Sequence, residues 1–386
     1  MKTIKLILAI CLFPALALGA PSISTVSDDT PDNGQSVTIN GLGFGVKTTA
    51  PPLVFETFES GTDGAIIRGN NCSNYGAWSS SASDVDATYT NANQRQGSTL
   101  SSYTHLIAGS STNNGGMWVP LDSTHCNKLM LTFWYRYVFD AHLDGDETGM
   151  WQHKIMRVTD GSGMELDSSA HIQLGWHNNN DGLGYHPGVF MIFHNDITNP
   201  SWGSDNTTLD VDNFNQYGVW QQIIMMFDDT GKANIYVNGA RETTDADLDM
   251  TTWIPGDEWK SLTFSWYLGT ESWLGSTPEL WDYYDDIYAD RSWKTVWIGD
   301  ASTWDACTAR EIQVQTSRTD TSISITVNQG GLSGDAWIYV MDEDGAVNST
   351  GKLITFGGAQ SPISHNAAGA GTTMSCSAGT VLTGGN

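Results

Sequence analysis

Period-two alternation limits this chain more than any other feature of its sequence. Met130–Val138 reads MLTFWYRYV, with large apolar side chains on one parity and Thr, Trp and Arg on the other. Successive side chains of a strand point to opposite faces, so such a run is a half-buried strand and not a helix. The same pattern recurs at Trp151–Val158, His171–Trp176, Gly188–His194, Gln221–Phe227, Lys232–Asn238 and Thr263–Leu268. Trp220–Gly239 joins two of these runs through Asp-Asp-Thr-Gly, the chemistry of a hairpin turn. The 16 Trp and 41 Gly, beside few helix formers, point the same way. The fold class expected is all-β, with antiparallel β-sandwiches.

Charge removes whole classes of partner. The chain carries 17 Lys and Arg against 43 Asp and Glu, a formal net charge of −26. A nucleic-acid binder needs a basic face against phosphate, so no nucleic-acid partner is expected. Residues 1–19 have an address: Lys2 and Lys5, then the apolar run Ile7–Leu16, then small Ala17 and Gly19 before a cleavage point. This reads as a secretory signal, too short to span a bilayer, so the expected location is extracellular with no membrane insertion.

Four cysteines follow the signal: Cys72, Cys126, Cys307 and Cys376. An even count in an exported chain permits disulfides in three connectivities. Cys72–Cys126 and Cys307–Cys376 are favoured, because each pair falls within one segment. Asn71, Asn206 and Asn348 begin glycosylation sequons.

Composition divides the chain further. Residues 20–50 hold short β-runs, including the stretch Gly34, Val37, Thr38, Ile39, Gly41, Gly43 and Phe44. That stretch resembles the opening of an IPT/TIG immunoglobulin-like domain. Residues 308–358 are β-rich and Trp-poor again. Neither piece has enough strands to bury a core, so the opening and closing strands are expected to share one smaller sandwich, with residues 53–300 inserted between them. Two flanking mini-domains are the alternative. Residues 359–386, rich in Gly, Ala, Ser and Thr, are expected to form a loose tail. Within 53–300, the Trp220–Gly239 hairpin, Phe55–Gly61 and Tyr284–Asp290 resemble concanavalin A-like jelly rolls of the laminin-G and polysaccharide-lyase kind.

Two chemistries are open. In jelly-roll lyases a cation and an amide neutralise a uronate carboxylate while His or Tyr moves protons, a general acid–base division of labour. His171, Tyr185, Gln173, Lys154, Arg157 and Arg136 would fill those roles here. The strand pattern expects Trp151, His153, Ile155 and Arg157 on one face and Lys154 opposite. The other chemistry is glycan binding on aromatic rings. Trp151, Trp176, Trp202 and Trp273 are its candidates, with Trp281 and Tyr185 also eligible and His153 and His177 nearby. A hydrolase acidic triplet starts at Glu165 and Asp167 but finds no third acid. The jelly-roll resemblance implies a structural Ca²⁺ held by Glu56 or Glu59 and Asp286. Phosphate-loop, dinucleotide and nucleophile-elbow motifs are absent from the sequence. The expectation is a secreted protein that binds extracellular polysaccharide. A lyase acting by β-elimination is the alternative, and a non-catalytic adhesion protein a second.

Overall fold

Each alternating run has one apolar face to hide, and the chain hides them by pairing sheets face to face. The computed structural model describes residues 19–69, 75–79, 85–107, 115–121, 128–139, 151–159, 171–178, 188–194, 207–210, 218–228, 233–242, 260–270 and 279–357. The signal segment, the tail, Cys72, Cys126 and Cys376 lie outside them.

The described strands, in chain order, begin with β1 (Ser22–Val26), β2 (Ser36–Leu42), β3 (Val54–Glu56), β4 (Val85–Asp86), β5 (Thr88–Thr90), β6 (Ser101–Ile107) and β7 (Gly115–Pro120). The middle of the chain supplies β8 (Lys128–Phe139), β9 (Trp151–Thr159), β10 (His171–Asn178), β11 (Gly188–His194), β12 (Thr207–Asp210), β13 (Gln221–Asp228), β14 (Ala233–Val237), β15 (Ala240–Arg241), β16 (Ser261–Thr270) and β17 (Glu279–Asp290). The last are β18 (Val296–Gly299), β19 (Arg310–Arg318), β20 (Ser322–Thr326), β21 (Gly334–Val340) and β22 (Lys352–Phe356). Among the described residues the only helical element is a 3-10 turn at Trp304–Ala306. No helix there is long and apolar enough to cross a membrane. The protein is all-β.

The larger sandwich has two sheets. One runs β12-β11-β10-β9-β16-β7-β4 and the other β15-β14-β13-β8-β17-β6-β5, with β3 pairing β17. Leu131, Phe133 and Tyr135 of β8, Ile223, Met225 and Phe227 of β13, and Met156, Val158 and Phe264 from the facing sheet fill the space between them. Full burial of each such side chain contributes roughly 1.5–3 kcal/mol.

The smaller sandwich is one sheet folded over itself, β1-β2-β20-β19-β18-β21-β22. The fold runs through β19, whose first half pairs β18 and whose second half pairs β20. Val37 and Ile39 sit opposite Ile325 and Ile323, so the opening and closing segments lie in the same sheet. The larger sandwich is inserted between them. Val296–Gly299, placed in the larger unit by composition, pairs with β19 and β21 of the smaller one.

The two units share a third apolar cluster. Met130, Ile224, Met226 and Tyr288, on the outer side of the β8–β13–β17 sheet, pack on Trp293, Trp297, Trp304 and Tyr339. Polar contacts fix the seam. Gln222 bonds both the N–H and the carbonyl of Arg310, and the Arg310 guanidinium stacks on Trp304 at 4.1 Å. At Gly97, held at φ +90°, a Cβ would run into the Gly330 carbonyl, so the two backbones touch there. Asn348 is buried, and its amide bonds the backbone of Val340, Ile338 and Thr350. Its side chain is therefore not presented as a glycan acceptor.

Candidate functional site

Strand β9, WQHKIMRVT, positions most of the cations expected to act together. Met156 and Val158 are buried in the core, which turns Arg157 outward. Strict alternation would then send Lys154 inward. Instead the ladder slips by one residue. Leu174 pairs Met156, but Gly175 pairs Lys154, leaving Ile155 as an extra residue. On the other flank Phe264 pairs Met156 and Tyr267 pairs Lys154, so Ser265 and Trp266 bulge opposite the same point. A one-residue slip exchanges faces. Lys154 thereby joins Arg157 outside, and His153 turns into the core. The expected grouping of His153 with Arg157, and of Lys154 opposite, is corrected by this bulge.

The bulges leave backbone groups that need partners, and a buried network supplies them. The Tyr284 hydroxyl donates to the Ile155 carbonyl at 2.7 Å and accepts from the Ser265 N–H at 3.2 Å. Ser265 sits at φ +52°, a left-handed conformation unusual for a non-glycine residue. Its hydroxyl donates to Asp282 at 2.8 Å. Tyr135 donates to the other Asp282 oxygen at 2.6 Å, and His153 Nε2 lies 3.0 Å from that carboxylate. Burial pushes the Tyr135 and Tyr284 hydroxyls well above their ordinary range, so both stay neutral donors. The carboxylate thus accepts from Ser265 and Tyr135, with His153 beside it, in a buried interior. His153, a candidate ligand contact, is 2% exposed and bound to this network; it is a support, not a surface.

Outside, the register sets up rows across three strands. Gln173 and Thr263 flank Arg157 on either side, and Thr263 continues to Trp118 on β7. The next row along is Gly175, Lys154 and Tyr267, and the row on the other side is His171, Thr159 and Ser261. Arg157 and Lys154 are only 4% and 8% exposed. His177 stands opposite Gln152, Trp176 opposite His153, and Trp151 opposite Asn178. Tyr185, Trp202 and Trp273 lie outside the described residues.

Arg136 belongs elsewhere. It lies on β8, in the facing sheet, and its guanidinium bonds the Gly218 carbonyl and Asn93 and covers the Tyr283 ring. Because Leu131, Phe133 and Tyr135 take the inner parity, Arg136 must face away from Arg157 across the whole sandwich. Its grouping with Lys154 and Arg157 is corrected accordingly.

The residues expected to hold Ca²⁺ have other partners. Glu56 is fully buried. Its carboxyl accepts from the Phe58 N–H at 2.6 Å and from Trp78 at 3.0 Å, and burial, with Asp286 and Glu59 nearby, pushes it up to about 8. Glu59 accepts from the Thr99 backbone at 2.8 Å. Asp286 is bound by Arg95, whose guanidinium also holds Glu311 at 2.6 Å and lies 3.6 Å from Asp285. Among the described residues no three His, Cys, Asp or Glu are arranged to hold a metal. A Ca²⁺ site needs six or more free oxygens, and here the carboxylates of Glu56, Glu59 and Asp286 accept from N–H and O–H donors. The residues do not fit the ion; Arg95 supplies positive charge at this place. That arginine went unread because nothing local marks it: its acidic partners come from two distant strands.

Cys307 is buried with its thiol toward the carbonyls of Thr303 and Ala301, at 3.3 and 3.5 Å.

No family model and no curated protein matches the sequence. Similar solved structures include alginate lyase Aly36B in complex with an alginate trisaccharide, at 15% identity and TM-score 0.34, over 49% of this chain and 81% of that one. The cellulose-induced protein Cip1 is similar at 15% identity and TM-score 0.35, over 62% of this chain and 97% of that one. The receptor-binding domain of botulinum neurotoxin D is similar at 13% identity and TM-score 0.32, over 61% of this chain and 50% of that one.

Proposed function

We propose that this is an exported polysaccharide-binding protein whose larger sandwich takes a uronate-bearing chain on the outer face of β9, β10 and β16. The observation that carries the reading is the double bulge, which brings Lys154 onto the face of Arg157, with Gln173 and Thr263 in the same row. A guanidinium and an ammonium match a sugar carboxylate, which accepts charge-assisted and bidentate hydrogen bonds, and Gln173 holds the neighbouring register position. In a chain of net charge −26, two cations on one face make that place locally attractive to an anionic sugar.

Cleavage by β-elimination is the second reading. It is favoured by His171, one row from Gln173 on the same strand. Neutralising the carboxylate acidifies the C5 proton, and a neighbouring base removes it as the glycosidic oxygen leaves.

The test is retention of the protein on immobilised polyuronate, with ultraviolet absorbance of the soluble products read in parallel. Wild type is expected to be retained and released by salt. Arg157→Gln and Lys154→Gln are each expected to weaken retention about tenfold, the loss of a hydrogen bond to a charged group. Unchanged retention in both variants would overturn the reading. A rise in unsaturated-uronate absorbance, lost in His171→Ala, selects the lyase; a flat trace with retention selects the binding module.

A further inference from the structure

We propose a second saccharide site, for a neutral β-linked glycan, on the opposite side of the same sandwich. The outer face of the β8–β17–β6 sheet divides in two. One half is roofed by the smaller sandwich through Met130 and Tyr288. The other half carries aromatic rings in register. His105 pairs Trp281, and Tyr103 pairs Tyr283. Trp281 is also opposite Val138, Tyr283 opposite Arg136, and Trp134 opposite Asp285. Rows two residues apart lie about 6.8 Å from one another, and the row at Trp134 is covered by Arg95.

The rings are fixed before any ligand arrives. His105 and Trp281 stack with centroids 4.9 Å apart and planes within 8°. Tyr103 and Tyr283 lie 5.4 Å apart. Trp281 donates to the Tyr103 hydroxyl, and Asn93 bonds the Tyr283 hydroxyl. Arg95 lies over Trp134 at 4.7 Å. The polar rim is Asn93, Arg136, His105 and Glu279, the last two 2.8 Å apart.

This chemistry fits a neutral sugar chain. The apolar C–H faces of pyranose rings pack on aromatic faces, and their hydroxyls need donors and acceptors at the edge. A β-1,4-linked chain is extended and ribbon-like, so its successive sugars can reach adjacent rows, whereas a β-1,3-linked chain coils. The charges of the strip nearly cancel, Arg136 against Glu279, so it offers no attraction to a polyanion. Tyr283 is buried beneath Arg136 and Trp134 lies beneath Arg95, so His105, Trp281 and Tyr103 are the rings a ligand reaches, too small a patch for the roughly 800 Å² per partner that a stable protein interface buries. The site is independent of the Lys154–Arg157 face and makes the sandwich two-sided.

Affinity electrophoresis of the full-length chain through gels containing soluble β-1,4- or β-1,3-glucan tests it. Wild type is expected to be retarded. Trp281→Ala and Tyr103→Ala should each reduce the affinity about tenfold, and Trp281→Phe, which keeps a ring, should restore most of it. Thermal midpoints of the alanine variants are expected within a few degrees of wild type, because both rings lie on the partly exposed outer face of the sheet. Three results would overturn the proposal: no retardation of wild type in either gel, retardation unchanged in Trp281→Ala, or a wild-type dimer in sedimentation that Trp281→Ala dissolves. Polyuronate retention is read separately, so failure of either face leaves the other intact.

Discussion

Glu56 offers a worked test of how this fold treats charge. Its carboxyl is fully buried at the junction of β3 and β17 and is pushed up to about 8 from an ordinary 4.5. Between those values the folded chain keeps a proton that the unfolded chain has released. Stability therefore falls as pH rises through this window, since the native state binds more protons than the unfolded state. At about 1.4 kcal/mol per tenfold change in proton concentration, the full loss is about 5 kcal/mol by pH 9. Glu56→Gln removes the charge and keeps the shape, but its amide nitrogen meets one of the two N–H donors now served by Phe58 and Trp78. An unmet donor costs about 1–3 kcal/mol. The variant should thus be more stable than wild type by about 3 kcal/mol at pH 9, and less stable by about 1–3 kcal/mol at pH 4.5. Urea unfolding followed by tryptophan fluorescence at half-unit pH steps reads the difference. Asp285, Asp286 and Glu311 are also pushed up by burial and slope the same way, but they slope equally in both proteins. Parallel pH profiles from 4.5 to 9 would refute the reasoning.

Other predictions follow from named contacts. Arg95→Met strands Asp286 and Glu311 as buried uncompensated charges and should cost about 3–5 kcal/mol at neutral pH, with part of the loss recovered in acid; chemical denaturation at two pH values checks both. Chelators are expected to leave the wild-type unfolding midpoint unchanged, because Arg95 already supplies the positive charge there; a fall on chelation would restore the metal. Tyr284→Phe removes the donor to the Ile155 carbonyl and should cost about 1–3 kcal/mol while also weakening polyuronate retention, because the bulge orients Lys154. The Cys307 thiol, buried and with its pKa raised by that burial, should react with iodoacetamide only after denaturation, as mass spectrometry would show.

The strands were legible because their signals are local or repeated. Turn residues and period-two runs marked β8, β13 and β14, and the strand deficit of each flank left two arrangements open, one shared sandwich or two flanking mini-domains. The face assignments failed where a partner strand decides. Ile155 looks like any alternating residue in β9; only the pairing with Leu174, Gly175 and Phe264 makes it the extra one. Arg136 and Arg157 have similar neighbours in sequence but belong to opposite sheets, and parity does not say which sheet. The aromatic strip was half legible: Trp281 stood out as a tryptophan, but Tyr103, His105 and Tyr283 join it only through cross-strand register.

Insertion of one sandwich into another also dictates an order of assembly. The last residue of β2 and the first of β20 are separated by roughly 280 residues, and closing a flexible loop of that length costs about 5 kcal/mol. A folded larger sandwich removes most of that cost, because β3 and β17 pair within it and deliver both chain ends to one place. The smaller sandwich is then a clasp that shuts only over a finished partner. During synthesis, β1 and β2 must wait, with Val37 and Ile39 exposed, until nearly the whole chain has emerged. A lesion anywhere in the larger unit would leave that clasp open, and its unpaired edge would be the first surface to aggregate or be cut.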